Sequence, residues 1–135
     1  MYLSRLHISK FRVFDDITLY FKNGINILIG ENNSGKTAII DALRICLGCG
    51  KPDNFIYVQD GDLHVNPENP SEINTVIQFD LIFEFGDASI ERECFYDFIS
   101  QDKDNPDKQT IQLHLKFIQE NNGKKKYFKR IILFV

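Results

Sequence analysis

The chain has 135 residues, 43% of them hydrophobic and 26% charged, which is the size and composition of one ordinary globular domain and excludes wholesale disorder. A formal net charge of −3 gives no global sign of a nucleic-acid or membrane binder, and the longest apolar run, residues 131–135, is far too short to span a bilayer. Three cysteines and the lack of a signal-type segment favour a reducing, cytoplasmic setting without membrane partners.

The first thirty residues predict three strands. Alternation of apolar and polar residues over 6–14 predicts the first, a turn follows at residues 15–16, and alternation over 17–21 predicts the second. Asn23-Gly24 is a strong hairpin signal. Residues 25–29 read Ile-Asn-Ile-Leu-Ile, which is apolar enough to predict a strand that is buried on both faces.

A helix is predicted over residues 37–47, ended by Gly48. The side chains expected on its buried face are Ile40, Leu43 and Leu47. Residues 51–74 are rich in Pro, Asn, Asp and Gly and predict a long surface loop with at most one short element.

The second half is predicted to be mostly strand. Residues 77–85 alternate without error, residues 88–100 have helical spacing, and residues 101–108 form a charged loop. Residues 111–117 alternate again, and a turn then leads into a last strand from about residue 124.

One loop carries recognisable chemistry. Residues 30–37 read Gly-Glu-Asn-Asn-Ser-Gly-Lys-Thr and match G-x-x-x-x-G-K-[ST] in full, a pattern that chance would produce in a chain of this length on the order of once in two hundred. The two glycines let the backbone turn, so that the loop amides and the positive end of the following helix can cradle phosphates. Lys36 supplies a charge for the β- and γ-phosphates, and the Thr37 hydroxyl is placed to ligate Mg²⁺. The loop predicts a nucleotide polyphosphate site without specifying the base or the reaction.

The residues around this loop resemble a known family. Leu-Ser-Arg-Leu-His-Ile-Ser-Lys-Phe-Arg-Val-Phe at residues 3–14, the stretch 25–37 and Asp-Ala-Leu-Arg at 41–44 are similar to the amino terminus of RecF/SMC-type ABC ATPase heads. Within that group they most resemble the OLD (overcoming lysogenization defect) family of ATP-dependent endonucleases. The similarity covers about residues 1–47, and a looser one extends to about residue 85.

The resemblance implies ATP with Mg²⁺ as the ligands, Arg12 near the phosphates or the base, and a homodimer of heads that closes over ATP. It also implies the fold class: an α/β fold of α+β character, the partial lobe of a P-loop NTPase head of ABC type, with a mixed or antiparallel sheet around the P-loop helix and one further helix. The expected nucleotide contacts are Arg12, Gly30, Glu31, Asn32, Asn33, Ser34, Gly35, Lys36, Thr37 and Ala38, with Thr37 on the Mg²⁺.

The chain departs from the family where hydrolysis would need more residues. It has no apolar strand ending in Asp-Glu, no Ser-Gly-Gly-type signature and no Toprim nuclease residues. Asp80 and Glu84 follow phenylalanines, but they lie inside an alternating strand without a second carboxylate beside them. We therefore expect Mg·ATP binding with little or no hydrolysis. We interpret residues 1–135 as the N-terminal lobe of a longer DNA-processing ATPase, made of strands, P-loop and helix (1–50), a loop (51–74) and antiparallel strands with an inserted helix (75–135).

Several smaller features have simpler interpretations. Cys46 and Cys49 form a Cys-x-x-Cys at the end of a helix, which lacks the further ligands of a zinc site, so Cys46 is predicted to be a small core residue. Asp60-Gly61-Asp62 lacks the remaining ligands of a calcium loop and predicts a solvated turn. His64 has no role that the sequence defines. A basic cluster is predicted either to contact DNA phosphates or to be a solvated hairpin that blocks edge pairing, and consists of Lys124, Lys125, Lys126, Lys129 and Arg130.

Two other functions stay open. A small P-loop kinase would need a lid with arginines, and the only arginines after the P-loop helix are Arg92 and Arg130. A non-catalytic dimerisation or binding module could retain the loop as part of its fold, in which case ATP would not stabilise the chain.

Overall fold

Six antiparallel strands and one long helix make up most of the computed structural model, which describes residues 1–48, 57–86, 89–101, 105, 108–123 and 125–134. The strands are β1 (Tyr2–Phe11), β2 (Phe14–Tyr20), β3 (Val76–Glu84), β4 (Ile99–Gln101), β5 (Gln109–Asn121) and β6 (Lys126–Phe134). The α-helices are α1 (Lys36–Leu47) and α2 (Ser89–Cys94), and short 3₁₀ turns span Asp60–Asp62 and Tyr96–Phe98. No helix in these described ranges is long and apolar enough to cross a membrane.

The strands form one sheet in the order β2-β1-β3-β5, and every pairing between the described strands is antiparallel. The long strand β5 pairs with two further strands on its far side: its start pairs with β4 and the rest pairs with β6. β3 therefore lies at the centre of the sheet, between two long neighbours.

The register of β3 with β1 and β5 places the buried side chains of the three strands next to one another. Ile8, Phe79 and Leu115 lie side by side across β1, β3 and β5, and each is fully buried. The ring of Phe79 meets Phe11 edge to face with 5.1 Å between ring centroids, and meets Phe117 at 6.0 Å. Complete burial of one such side chain contributes ~1.5–3 kcal/mol. Because side chains alternate along a strand, the same register places the polar residues together on the opposite face.

Helix α1 completes the core with mostly small side chains, namely Ala38, Ile39, Ala42, Ile45 and Cys46. The predicted buried face was wrong, because Ile40 and Leu47 are exposed and Leu43 is half-buried at the margin of the core. Alanine and cysteine share one buried cluster with the bulky phenylalanine rings of the sheet, and a close-packed core needs small side chains beside large ones. The prediction that Cys46 is a core residue is confirmed, whereas Cys49 lies outside the described residues.

The segment before the loop does not form the predicted buried strand. Residues 25–29 have no strand pairing within the described part of the chain, and Ile25, Ile27 and Ile29 are 92%, 77% and 91% exposed. A strand needs a neighbour for its backbone N–H and C=O groups, and an apolar pattern alone does not supply one.

The turn before this segment is closed by a side chain and does not begin a hairpin. Gly24 has a φ of +101°, and the Asn26 side chain accepts a hydrogen bond from the Lys22 backbone N–H and donates one to the Lys22 carbonyl, at 2.9 and 2.8 Å. The hairpin predicted at Asn23-Gly24 is therefore wrong: the chain bends there, but residues 25–29 do not pair with β2.

The turn between β1 and β2 lies earlier than the predicted Asp15-Asp16. The chain reverses at Arg12-Val13, and Asp16 is a residue of β2 opposite Ser9. Asp15 pairs with Lys10 across the same hairpin. Charged residues are compatible with an edge strand, and cross-strand partners outweigh the turn preference of aspartate.

The helix predicted over 88–100 is much shorter. Only Ser89–Cys94 is α-helical, and residues 99–101 form β4 against the start of β5. Ile90 and Phe98, two of the apolar residues whose spacing predicted the helix, are 73% and 46% exposed. Pairing with β5 provides hydrogen-bond partners for the backbone N–H and C=O groups of residues 99–101, and this stabilises a strand although the apolar spacing predicted a helix.

A polar network crosses the outer face of the sheet at its centre. Asp80 on β3 lies opposite His7 on β1 and His114 on β5, with Nδ1–Oδ distances of 2.9 and 2.6 Å. Gln78 donates to the same carboxylate, and His7 Nε2 also contacts Asp16 at 3.0 Å. Burial raises the pKa of Asp80, but the hydrogen bonds from His7, His114 and Gln78 outweigh it and leave that pKa below its ordinary value. Burial likewise lowers the pKa of His7, and the hydrogen bonds to Asp80 and Asp16 outweigh it and raise that pKa.

This network predicts a stability maximum in mild acid. The contribution of His7 is complete below its unfolded pKa of about 6.5 and is lost as the pH rises through the raised folded value. The contribution of Asp80 is present above its unfolded pKa of about 3.9 and is lost as the pH falls through the lowered folded value. We expect the urea midpoint of the wild type to be higher at about pH 5.5 than at about pH 8.5. In Asp80→Asn this difference should shrink, and an unchanged difference in the variant would contradict the assignment.

Candidate functional site

An open cavity of about 320 Å³ lies between the turn after β1 and the loop of residues 30–37. Most of the nucleotide contacts predicted from the sequence meet there, because the loop enters α1 directly beside the β1–β2 turn. The residues that line the cavity are Arg12, Val13, Asn32, Asn33, Gly35, Lys36, Thr37 and Ala38. Thr37 lies in the first turn of α1, is exposed and lines the cavity.

The other three predicted contacts hold the lysine of the loop. The Lys36 ammonium donates to the Gly30 carbonyl and, at 2.5 Å, to the Glu31 carbonyl, and it lies 3.4 Å from Ser34 Oγ. The loop therefore curls around its own lysine. An anionic ligand in the cavity would compete with these carbonyl oxygens for the ammonium group.

Gly35 is essential to the start of α1 for two separate reasons. Its φ is +93°, a left-handed backbone conformation that L side chains rarely adopt. A Cβ at this position would lie 2.3 Å from the Phe14 ring and 3.0 Å from a Val13 methyl group. At Gly30 a Cβ would meet only side-chain atoms, the nearest being Ser34 Oγ at 2.7 Å.

Arg12 is held at the edge of the cavity by two carboxylates. Its Nε donates to Asp62 at 2.8 Å, and its Nη1 donates to Asp41 of α1 at 2.6 Å. Burial lowers the pKa of Arg12, but the hydrogen bonds to Asp62 and Asp41 outweigh it and raise the pKa above its ordinary value. The guanidinium group therefore stays charged, and it lies 4.9 Å from the centre of the Phe11 ring.

Sequence reasoning missed both carboxylate partners of Arg12. Asp62 was predicted to lie in a solvated turn, yet it is buried, and its neighbour Leu63 forms an isolated bridge with Phe11. His64 is buried too, and its Nδ1 lies 2.8 Å from the Arg12 carbonyl oxygen. Nothing near residue 62 in the sequence indicates a partner fifty positions earlier, so no local signal could have found this contact.

The acidic residues of β3 lie away from the cavity. Asp80 is bound by two histidines on the outer face, and Glu84 pairs with Lys108 at 2.8 Å and accepts a hydrogen bond from Tyr2. Among the described residues that line the cavity there is no carboxylate. No group of three or more His, Cys, Asp or Glu side chains in the described ranges is arranged to hold a metal ion.

The basic cluster near the end of the chain divides between two faces. Lys126 and Arg130 line a second cavity of about 560 Å³, together with Tyr57 and Phe128 among others. Lys129 belongs to the opposite side of β6, because alternate residues of a strand point to opposite faces. Lys125 is exposed in the turn before β6, and Lys124 lies outside the described residues.

Comparison with known proteins identifies the family of this chain. A family model described as an AAA domain matches residues 5–134. The chain belongs to the AAA domain family.

Curated relatives of this AAA domain are DNA replication and repair proteins. It is 42% identical over 45 residues to the DNA replication and repair protein RecF of Limosilactobacillus reuteri, an alignment that covers 33% of the chain and 12% of that protein. It is 40% identical over 47 residues to the DNA double-strand break repair Rad50 ATPase of Thermoplasma volcanium, covering 35% of the chain and 5% of that protein. The chain thus spans about an eighth or less of the length of these relatives.

A solved SMC ATPase shares the fold of this AAA domain. The chain matches it with a TM-score of 0.58 at 16% identity, over 96% of the chain and 69% of the solved one, in a structure from work on ATP-driven dimerization and DNA-stimulated activation of SMC ATPases. The predicted fold class is confirmed. The RecF, Rad50 and SMC similarities together support the resemblance to RecF/SMC-type ABC ATPase heads.

The two glycines of the loop predict a matched pair of variants. Gly35→Ala combines a left-handed backbone with a clash against an aromatic ring, and we expect it to lower the free energy of unfolding by about 2–4 kcal/mol. Gly30→Ala displaces only side-chain ends and should cost less than about 1 kcal/mol. Urea denaturation of both variants measures the difference. Equal losses would contradict both the backbone restriction and the steric restriction at position 35.

Proposed function

We propose that this chain binds Mg·ATP through residues 30–38 and Arg12, as the nucleotide-binding lobe of a DNA-processing ATPase. One observation carries the proposal: a complete G-x-x-x-x-G-K-[ST] loop opens α1, and its lysine and threonine line the same cavity as the Arg12 guanidinium. Loop amides, a helix N-terminus and two cations form the environment that a polyphosphate requires.

Magnesium fits the residues that are present. Mg²⁺ takes hard oxygen ligands, keeps several waters and is commonly bound by few protein groups together with substrate phosphates. In this cavity Thr37 would supply the hydroxyl ligand, and the metal would neutralise charge on the β- and γ-phosphates when bound. Lys36 would leave the Gly30 and Glu31 carbonyls to contact the phosphates, and Arg12 would add a second positive charge on the opposite wall.

We propose that binding, not turnover, is the activity of the chain itself. Phosphoryl transfer to water needs a group that orients the nucleophile, and the described residues of the cavity include no carboxylate for that role. The whole protein would be a DNA repair or anti-phage-defence ATPase whose heads dimerise over ATP. The motifs at residues 3–14 and 30–37 favour an OLD-like ATP-dependent endonuclease, with residues 1–135 as its N-terminal ATPase lobe.

The first prediction concerns nucleotide binding. Mg·ATP at 100 times its dissociation constant should stabilise the wild type by ~2.7 kcal/mol, measured as a thermal shift. Lys36→Ala should lose most of this shift, because it removes the charge that faces the phosphates. The matched control is Lys22→Ala, an exposed lysine outside the cavity, which should keep the wild-type shift.

Other outcomes of that experiment favour other functions. Absence of any shift with wild-type protein would favour the module that retains the loop only as fold. A shift accompanied by phosphate transfer to a nucleoside acceptor would favour the kinase. The same titration with GTP determines which base the site prefers.

The second prediction concerns DNA. Lys126 and Arg130 share one cavity wall, and we propose that they contact DNA phosphates there. Replacing both by alanine should weaken binding of duplex oligonucleotides regardless of sequence and should reduce the slope of log K against log salt by about one per lost contact. Lys22→Ala serves again as the control. An unchanged salt dependence would favour the solvated hairpin.

A further inference from the structure

Arg12, at the wall of the nucleotide cavity, makes four polar contacts with two other parts of the chain, namely α1 and the segment around Asp62. Asp62 binds Arg12 twice, through its carboxylate to Nε at 2.8 Å and through its backbone carbonyl to the Arg12 N–H at 2.7 Å. His64 Nδ1 contacts the Arg12 carbonyl, and Asp41 accepts from Nη1 at 2.6 Å. The segment Gln59–His64 thus acts as a strap across the β1–β2 turn.

The strap holds Arg12 in a backbone conformation that is unfavourable for a side-chain-bearing residue. Arg12 has a φ of +51°, and Lys10, whose carbonyl accepts the His64 N–H, has a φ of +59°. Such conformations are unfavourable for residues with a Cβ and persist only where the surroundings impose them. Arg12 lines the cavity together with residues of the loop.

The two oxygens of Asp62 have separate functions. Oδ1 accepts from Arg12, and Oδ2 accepts from the Gln59 backbone N–H at 2.9 Å, which closes the 3₁₀ turn that carries the strap. The Asp62 side chain is only 12% exposed and that of Asp41 is 17% exposed, against 28% for Arg12. Arg12 lines the cavity, whereas neither Asp41 nor Asp62 is among its lining residues.

We propose that Asp62 is a positioning residue for nucleotide recognition, which presents the free edge of the Arg12 guanidinium to the phosphates of a ligand bound at residues 30–38. Within the described ranges, the side-chain hydrogen bonds of Arg12 are those of Nε and Nη1. These two bonds orient the planar group and leave Nη2 for a phosphate oxygen. The inference rests on the proposed nucleotide site and adds that the strap determines its affinity.

A double-mutant cycle separates positioning from a purely structural role. Asp62→Asn keeps the size of the side chain but satisfies only one of its two donors. We expect it to raise the dissociation constant for Mg·ATP roughly tenfold in the wild-type background, the size of one charge-assisted hydrogen bond. In the Arg12→Ala background the same substitution should change the constant by less than about twofold, because the group that Asp62 positions is gone.

The stability of each variant is measured alongside by urea denaturation. Should Asp62→Asn not fold, Asp41→Asn gives the same test, since it removes the other carboxylate while leaving the strap closed. The inference would be overturned if the substitution changed the dissociation constant for Mg·ATP by the same factor in both backgrounds. It would also be overturned if the substitution left that constant unchanged in the protein that retains Arg12. Wild-type protein and Lys36→Ala are titrated with Mg·ATP in parallel. If the wild type did not bind, the nucleotide site itself would be overturned. If the wild type bound, Lys36→Ala abolished binding and Asp62→Asn left it intact, only the positioning role of Asp62 would be overturned.

Discussion

The pairing of β3 with β1 and β5 is the constraint on which the other features depend. A slip of one residue in either register would move Phe79 to the outer face and Asp80 into the core, since neighbouring residues of a strand point to opposite sides. An unpaired carboxylate there would be far more costly than a lost apolar contact. The row of His7, Asp80 and His114 therefore helps to specify the register that also builds the core, and α1 packs into that core with the loop at its start.

The same register positions the candidate site. β1 carries Phe11 into the core and then reverses at Arg12, so the guanidinium emerges where α1 begins. The strap reaches the same point from the other side, because Leu63 bridges Phe11. β1, α1 and the strap, which are separated along the chain, thus meet at this site. The cavity is a consequence of how the sheet and α1 pack, and no single motif encodes it.

The alternation of apolar and polar residues predicted a strand correctly where the neighbouring strand of the sheet also alternates clearly. The alternation of β1, β3 and β5 identified strands that pair with one another, and the glycine-rich motif identified the loop because its residue types are required by chemistry. The failures share a cause. Residues 25–29 have the pattern of a strand but lack a neighbour in the described chain. Residues 99 and 100 were predicted to end a helix, yet they belong to β4 because β5 lies beside them. Asp62 resembles a turn residue, and its role depends on a contact fifty positions away, which no window of sequence contains.

The contact between Gly35 and the Phe14 ring limits how this loop could be redesigned. Two independent restrictions act on position 35, one from backbone dihedral angles and one from the space that Phe14 and Val13 occupy. Trimming the aromatic ring would relieve only the part of the second restriction that comes from Phe14, so glycine would remain the favoured residue even in a chain with a smaller side chain at position 14. Position 30 is restricted only by movable side-chain ends. Variation of the loop is therefore more accessible from its first glycine than from its second.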